Sequence, residues 1–201
     1  MSGQMPDIIV LNDEEFVIVE PGPGMLVDVR AHGVAPVMMH SANTRGVLAR
    51  FRITDDERLV LSDLQVGSVD APPPINGVEA TTDEYGQTWT YLALDMTVEW
   101  SGDLIVGADP ILDLYVHAGF PPVWHYERVQ AFAIEAGMVR SSEDRSEQVA
   151  AFRAERTGGA GSDGNSANVG DAAVEEDEGM FERFLDSIKL KLGMDDEPES
   201  V

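Results

Sequence analysis

Residues 45–66, RGVLARFRITDDERLVLSDLQV, alternate apolar and polar side chains on both sides of a polar turn. A strand with one buried face requires that period of two, whereas a helix buries every third or fourth residue. The apolar-rich runs 47–53 and 59–66 are therefore predicted to pair as a hairpin, with the acids of DDER solvated in its turn. The same period continues through TWTYLALDMTVEW. Because SGDLIVG returns after Ser101 and Gly102, a second hairpin is expected there, with Trp89, Tyr91 and Trp100 as cross-strand aromatics rather than ligand stackers. Upstream, IIVLNDEEFVIVEPGPGMLVDV predicts two or three strands broken at PGPG, and the prolines of APPPING make that stretch a loop.

Helix signals are fewer. In GADPILDLYVHAGFPP, Asp109 is placed to cap a helix and Pro110 to occupy its first position. Ile111, Leu114, Tyr115 and Ala118 would then share one face before Gly119 and the Pro pair end it. VWHYERVQAFAIEAGMV fits either period, and a strand turning at Ala136 and Gly137 is the preferred reading. A short helix over SEQVAAFRAER, capped by Ser146, follows.

Composition then changes abruptly. From Thr157 to Gly179 there is no aromatic residue, Leu or Ile, so this stretch cannot bury enough surface to offset its ordering entropy, and a disordered acidic linker is expected over 157–179. Beyond it, Phe181, Phe184, Leu185, Ile188 and Leu192 recur at helical spacing. Acids precede them, Lys189 and Lys191 stand in the last turn, and Gly193 can end it. So short a helix is marginal alone in water and needs a surface, which makes these five residues candidate anchors for a protein partner or for docking within the chain. The expected organisation is an α+β domain over 5–155, mostly antiparallel sheet with two or three helices, then the linker, then an amphipathic helix over 180–193.

The formal charge of −24 comes from 37 acids against 13 bases, of which only two are lysines, and both the first 155 residues and the remainder are acidic. Such a surface repels itself unless salt screens it, and scarce lysine beside eleven arginines fits a halophilic prokaryote. Nucleic acid is not an expected partner, because binding it relies on Lys or Arg clusters that release counterions. Mimicry of nucleic acid would need carboxylates arrayed at phosphate spacing, and these are interleaved with apolar residues. Zero cysteines exclude disulfides and thiolate chemistry. The amino terminus lacks a basic, then apolar, leader pattern and no run approaches the roughly 20 apolar residues of a spanning helix, so a cytoplasmic location without membrane association is expected.

No catalytic or cofactor signature stands out. Gly159, Gly161 and Gly164 satisfy a glycine pattern for phosphates but lie in the linker, without the strand and helix that pattern needs. No nucleophile elbow occurs, and acids this numerous make any carboxylate pairing uninformative. The candidate pocket is the segment 109–128, where Asp113, Tyr115, His117, Trp124, His125 and Tyr126 gather. Asp113 and His117, four apart on a helix, would share a face and with His125 make a His/carboxylate metal set. An ion pair or a contact with the helix dipole is the preferred reading of the same spacing, and no metal or cofactor is expected.

WSGDLIVGADPILDLYVHAGFPPVWHYERV resembles a pattern in small bacterial domains of no assigned function, to which RGVLARFRI and PPINGV are also similar. The resemblance covers roughly residues 44–145 and implies a coherent domain without implying a catalytic residue. The sequence thus leads to a cytosolic, non-enzymatic binding or adaptor protein, with a small enzyme built around 109–128 as the rival.

Overall fold

The computed structural model describes residues 3–114 and 118–158, so the expected linker over 157–179 falls almost wholly, and the five-residue stripe entirely, outside the described residues. The chain divides into two compact units, Met1–Phe152 and Arg153–Val201. The first carries ten strands: β1 (Ile8–Leu11), β2 (Glu14–Glu20), β3 (Val47–Ile53), β4 (Leu59–Gly67), β5 (Thr81–Thr82), β6 (Thr88–Tyr91), β7 (Met96–Thr97), β8 (Gly102–Pro110), β9 (Tyr126–Glu135) and β10 (Met138–Asp144). The helix α1 (Ser146–Gly158) begins in this unit. It is the one α-helix among the described residues, which otherwise have three short 3-10 turns.

The strands form a single mixed sheet in the order β10-β9-β8-β2-β1-β3-β4-β6-β5, with β7 also on β4. Every pair is antiparallel except β1 with β3. Turn chemistry sets the local pairings. Asn12 and Asp13 take φ of 51° and 66° between β1 and β2, and Ala136 and Gly137 take 47° and 77° between β9 and β10. Two consecutive positive φ values are what the twist of a tight hairpin demands. The β9–β10 turn then meets the start of β4: Leu59 N–H donates to Gly137 O and Val139 N–H to Glu57 O, each at 2.8 Å. These bonds bring the sheet round, so β4, β3, β1, β2, β8, β9 and β10 follow one another in a ring.

One core fills the interior. Ile9, Phe16, Phe51, Leu61, Leu104 and Ile134 are among its members, each at most 2% exposed. Burying a side chain of this size is worth about 1.5–3 kcal/mol, so the inward parity of each strand is strongly specified. In β4 that parity changes midway. Arg50 pairs with Asp63 but Phe51 with Leu61, leaving Ser62 as an extra residue, and Ser62 Oγ–H donates to Arg50 O at 2.9 Å. The bulge lets Leu59 and Leu61 and then Leu64 and Val66 all join the core.

Three sequence expectations change here. β6 and β7 pair with β4, while β8 pairs with β2 and β9, so TWTYLALDMTVEW and SGDLIVG are not a hairpin. No α-helix starts at Pro110. Asp109 has φ of 56° near the end of β8, Pro110 stands opposite Tyr126 of β9, and only a 3-10 turn, Leu112–Leu114, follows. Strand pairing outweighed the local capping signal. Ser146 does not cap α1 with its hydroxyl either, because Ser146 Oγ accepts Val129 N–H of β9 at 3.0 Å while Asp144 Oδ1 takes Ser146 N–H at 2.8 Å. The Ser146 hydroxyl and then its backbone N–H hold the Asp144 carboxyl below its usual value.

Candidate functional site

Of the six candidates in the segment 109–128, four lie among the described residues. Asp113 is exposed on the Leu112–Leu114 turn, off any α-helix, and Tyr115 and His117 lie outside the described residues. Trp124 and His125 sit in a second 3-10 turn, Val123–His125, where their rings meet edge to face at 5.9 Å. Trp124 also packs on Phe152 at 5.7 Å. Among the described residues no group of three His, Asp or Glu side chains is arranged to hold a metal ion. His32 and His40 are exposed and belong to separate turns.

Tyr126 is buried, and its ring fills the space where a Cβ on Gly107 would otherwise stand, 2.6 Å away. Burial pushes its phenol up to about 12. An unfolded chain would ionise the same phenol near pH 10, so stability is complete below that pH and declines as pH rises through about 12. The difference of roughly two units corresponds to about 2–3 kcal/mol. Titration of tyrosinate absorbance should show a step near pH 12 that disappears in Tyr126→Phe. A chain whose phenols are all ionised before pH 11 would contradict the burial.

A more developed polar centre lies elsewhere. Asp7 precedes β1 on the same parity as the core residues Ile9 and Leu11, and it is 3% exposed. Four donors satisfy it. Oδ1 accepts Ala49 N–H at 3.0 Å and Arg45 Nη2 at 3.1 Å, and Oδ2 accepts Gly24 N–H at 3.0 Å and Arg45 Nη1 at 3.3 Å. Arg45 donates further to Met5 O at 3.1 Å and lies over the Phe120 ring, 5.7 Å from its centroid. One carboxylate thereby joins the PGPG loop, the start of β1, the Arg45 side chain and β3.

Beside this centre a cavity of about 320 Å³ opens between Pro23, Val27, Asp28, Arg30, Pro36 and Arg45. Asp28 Oδ1 accepts Arg30 N–H at 3.0 Å and so starts the 3-10 turn Val29–His32 that presents both side chains. A second hollow, about 340 Å³, lies over β1, β3, β4 and β6. Leu92, 61% exposed, stands at its margin, and its Arg50 is tied to Glu15 at 2.5 Å. Neither lining contains a serine, histidine, tyrosine or lysine; the polar side chains of the second are Arg50, Asp63, Gln65 and Thr90. Both have the ingredients of binding surfaces.

Sequence reasoning missed Asp7, Arg30 and Arg45. Asp7 left one readable sign, an acid on the inward parity of an apolar strand. The chain matches none of the protein-family models, curated proteins or solved structures with which it was compared.

Proposed function

We propose that this chain is a non-enzymatic binding or adaptor protein of a salt-rich cytosol. Its carboxy-terminal stripe Phe181, Phe184, Leu185, Ile188 and Leu192 engages a protein partner, and the segment 109–128 offers a second contact surface. The observation that carries this reading is the packing of Trp124 on Phe152 and His125, which gives these rings a structural use. The stripe supports it because an apolar helical face flanked by acids suits a protein groove better than an anionic lipid surface.

The test is a pull-down at molar salt with the full chain, a truncation lacking 180–201, and the double variant Phe184→Asp/Leu185→Asp. The full chain should retain a specific partner that both altered chains lose, with the double variant's stability changed by no more than about 0.5 kcal/mol. A lowered melting temperature would instead assign the stripe a role within the chain. Retention of every partner would remove the adaptor reading.

The salt-rich setting has its own test. Lowering salt from about 1 M to about 0.1 M lengthens the Debye length from about 3 to about 10 Å and exposes the repulsion among 37 acids. The melting temperature should fall across that range. Curves independent of salt would count against a halophilic origin.

A further inference from the structure

We propose that the cavity beside Arg45 binds a small zwitterion with an apolar body, of the α-amino acid class, its carboxylate on Arg30 and its ammonium on Asp28. This surface is separate from the carboxy-terminal stripe. Seven arginines from Arg45 to Arg145 each stand in an ion pair with an Asp or Glu. Arg30 alone among the arginines from 30 to 145 has no such partner among the described residues. With almost three acids for every base in the chain, the lack is not one of supply. The turn that carries Arg30 holds it at a cavity where no carboxylate of the described residues reaches it.

The rest of the lining fixes the ligand's character. Arg45 adds no free charge, because Asp7 meets two of its nitrogens at 3.1 and 3.3 Å. That leaves Arg30 and Asp28, opposite in sign, on one lining without an ion pair between their side chains. A simple anion would be repelled by Asp28 and a simple cation by Arg30, whereas a molecule carrying both charges meets each with its complement. Pro23, Val27 and Pro36 supply apolar wall. About 320 Å³ is at the small end of ligand sites, which run from about 300 to 1,000 Å³, and it suits a single amino acid rather than a peptide.

L-leucine is the probe, with N-acetyl-leucine lacking the ammonium and isopentylamine lacking the carboxylate, each titrated into the full chain by calorimetry and amide chemical-shift mapping. L-leucine should bind with Kd of about 1 mM or tighter and shift the amides of Val27 to Arg30, and each half-ligand should bind at least about tenfold more weakly. Arg30→Gln and Asp28→Asn should each weaken L-leucine about tenfold without changing the melting temperature, since both side chains are exposed and Asn keeps the oxygen that accepts Arg30 N–H. Asp28→Asn should bind N-acetyl-leucine at least as well as the parent chain, because the carboxylate that repels an anion is gone. No binding of L-leucine at about 10 mM, or binding by both variants as tight as by the parent chain, overturns the proposal. Neither result touches the stripe, so the adaptor reading fails or stands on its own pull-down.

Discussion

Gly46→Ala should destabilise the domain by about 3 kcal/mol or more, lowering its melting temperature by roughly 6–12 °C on the usual scaling for a domain of this size. Two costs coincide at this residue. Its φ is 69°, in the left-handed region that costs a residue with a Cβ about 1–2 kcal/mol, and the added Cβ would stand 2.0 Å from Val37 O and 2.6 Å from Val37 C. The obstacle is backbone and cannot rotate away. It is fixed because Val37 N–H donates to Gly67 O and Gly67 N–H to Gly46 O, each at 2.9 Å, so the 34–46 loop is held across the open end of the β3–β4 hairpin.

Two companion variants separate the costs. Gly77 has φ of 78° with nothing within 4 Å of its ideal Cβ, so Gly77→Ala bears the conformational cost alone, about 1 kcal/mol. At Gly67, which does not adopt the left-handed conformation, a Cβ would meet Val37 O at 2.2 Å, so Gly67→Ala bears the steric cost alone. Thermal and denaturant melts should rank Gly46→Ala and Gly67→Ala well below Gly77→Ala. If all three melt alike, the loop does not cross the hairpin as described.

The residues around Gly46 also mark the limit of what sequence could disclose. The β3–β4 hairpin was readable to within a residue because alternation and a polar turn lie within about twenty consecutive positions. The turn at Ala136 and Gly137 and the break at PGPG were readable for the same reason. Partners were not readable. Period two marks TWTY and SGDLIVG as strands but carries no record that the first belongs beside β4 and the second between β2 and β9. Asp109 and Pro110 show how a local signal misleads: the dipeptide matches a helix start, yet Asp109 instead binds the Arg128 guanidinium, and pairing with β9 decides the backbone. The gathering of aromatics at 109–128 is ambiguous on similar grounds, since aromatic density serves packing, as of Trp124 on Phe152, as well as recognition. The cavity joins Asp28 and Arg30 to Arg45, fifteen residues on, through an acid 38 residues before Arg45, and no window of sequence spans those separations.

Asp7→Ala should cost about 3–5 kcal/mol, the range for breaking a buried ion pair from one side. The Arg45 side chain is 21% exposed and that of Asp7 5%, so solvent replaces little of what is lost. Removing the carboxylate strands the guanidinium with Met5 O as its remaining hydrogen-bond acceptor and leaves the N–H groups of Gly24 and Ala49 without theirs. Each orphaned group costs about 1–3 kcal/mol, and the total falls short of their sum because the loop can relax. Asp7→Asn, which keeps one acceptor oxygen, should cost less than Asp7→Ala. Arg45→Gln should also cost less, because Asp7 would still receive both backbone donors. That order distinguishes a carboxylate that organises backbone from one that only neutralises Arg45, for which the Asp7→Ala, Asp7→Asn and Arg45→Gln losses would all be equal. Since Gly24 and Arg45 both line the cavity, Asp7→Ala should also abolish leucine binding under conditions where the domain is still folded. A chain that tolerates Asp7→Ala with less than about 1 kcal/mol of loss would show that the loop is held by something other than this carboxylate.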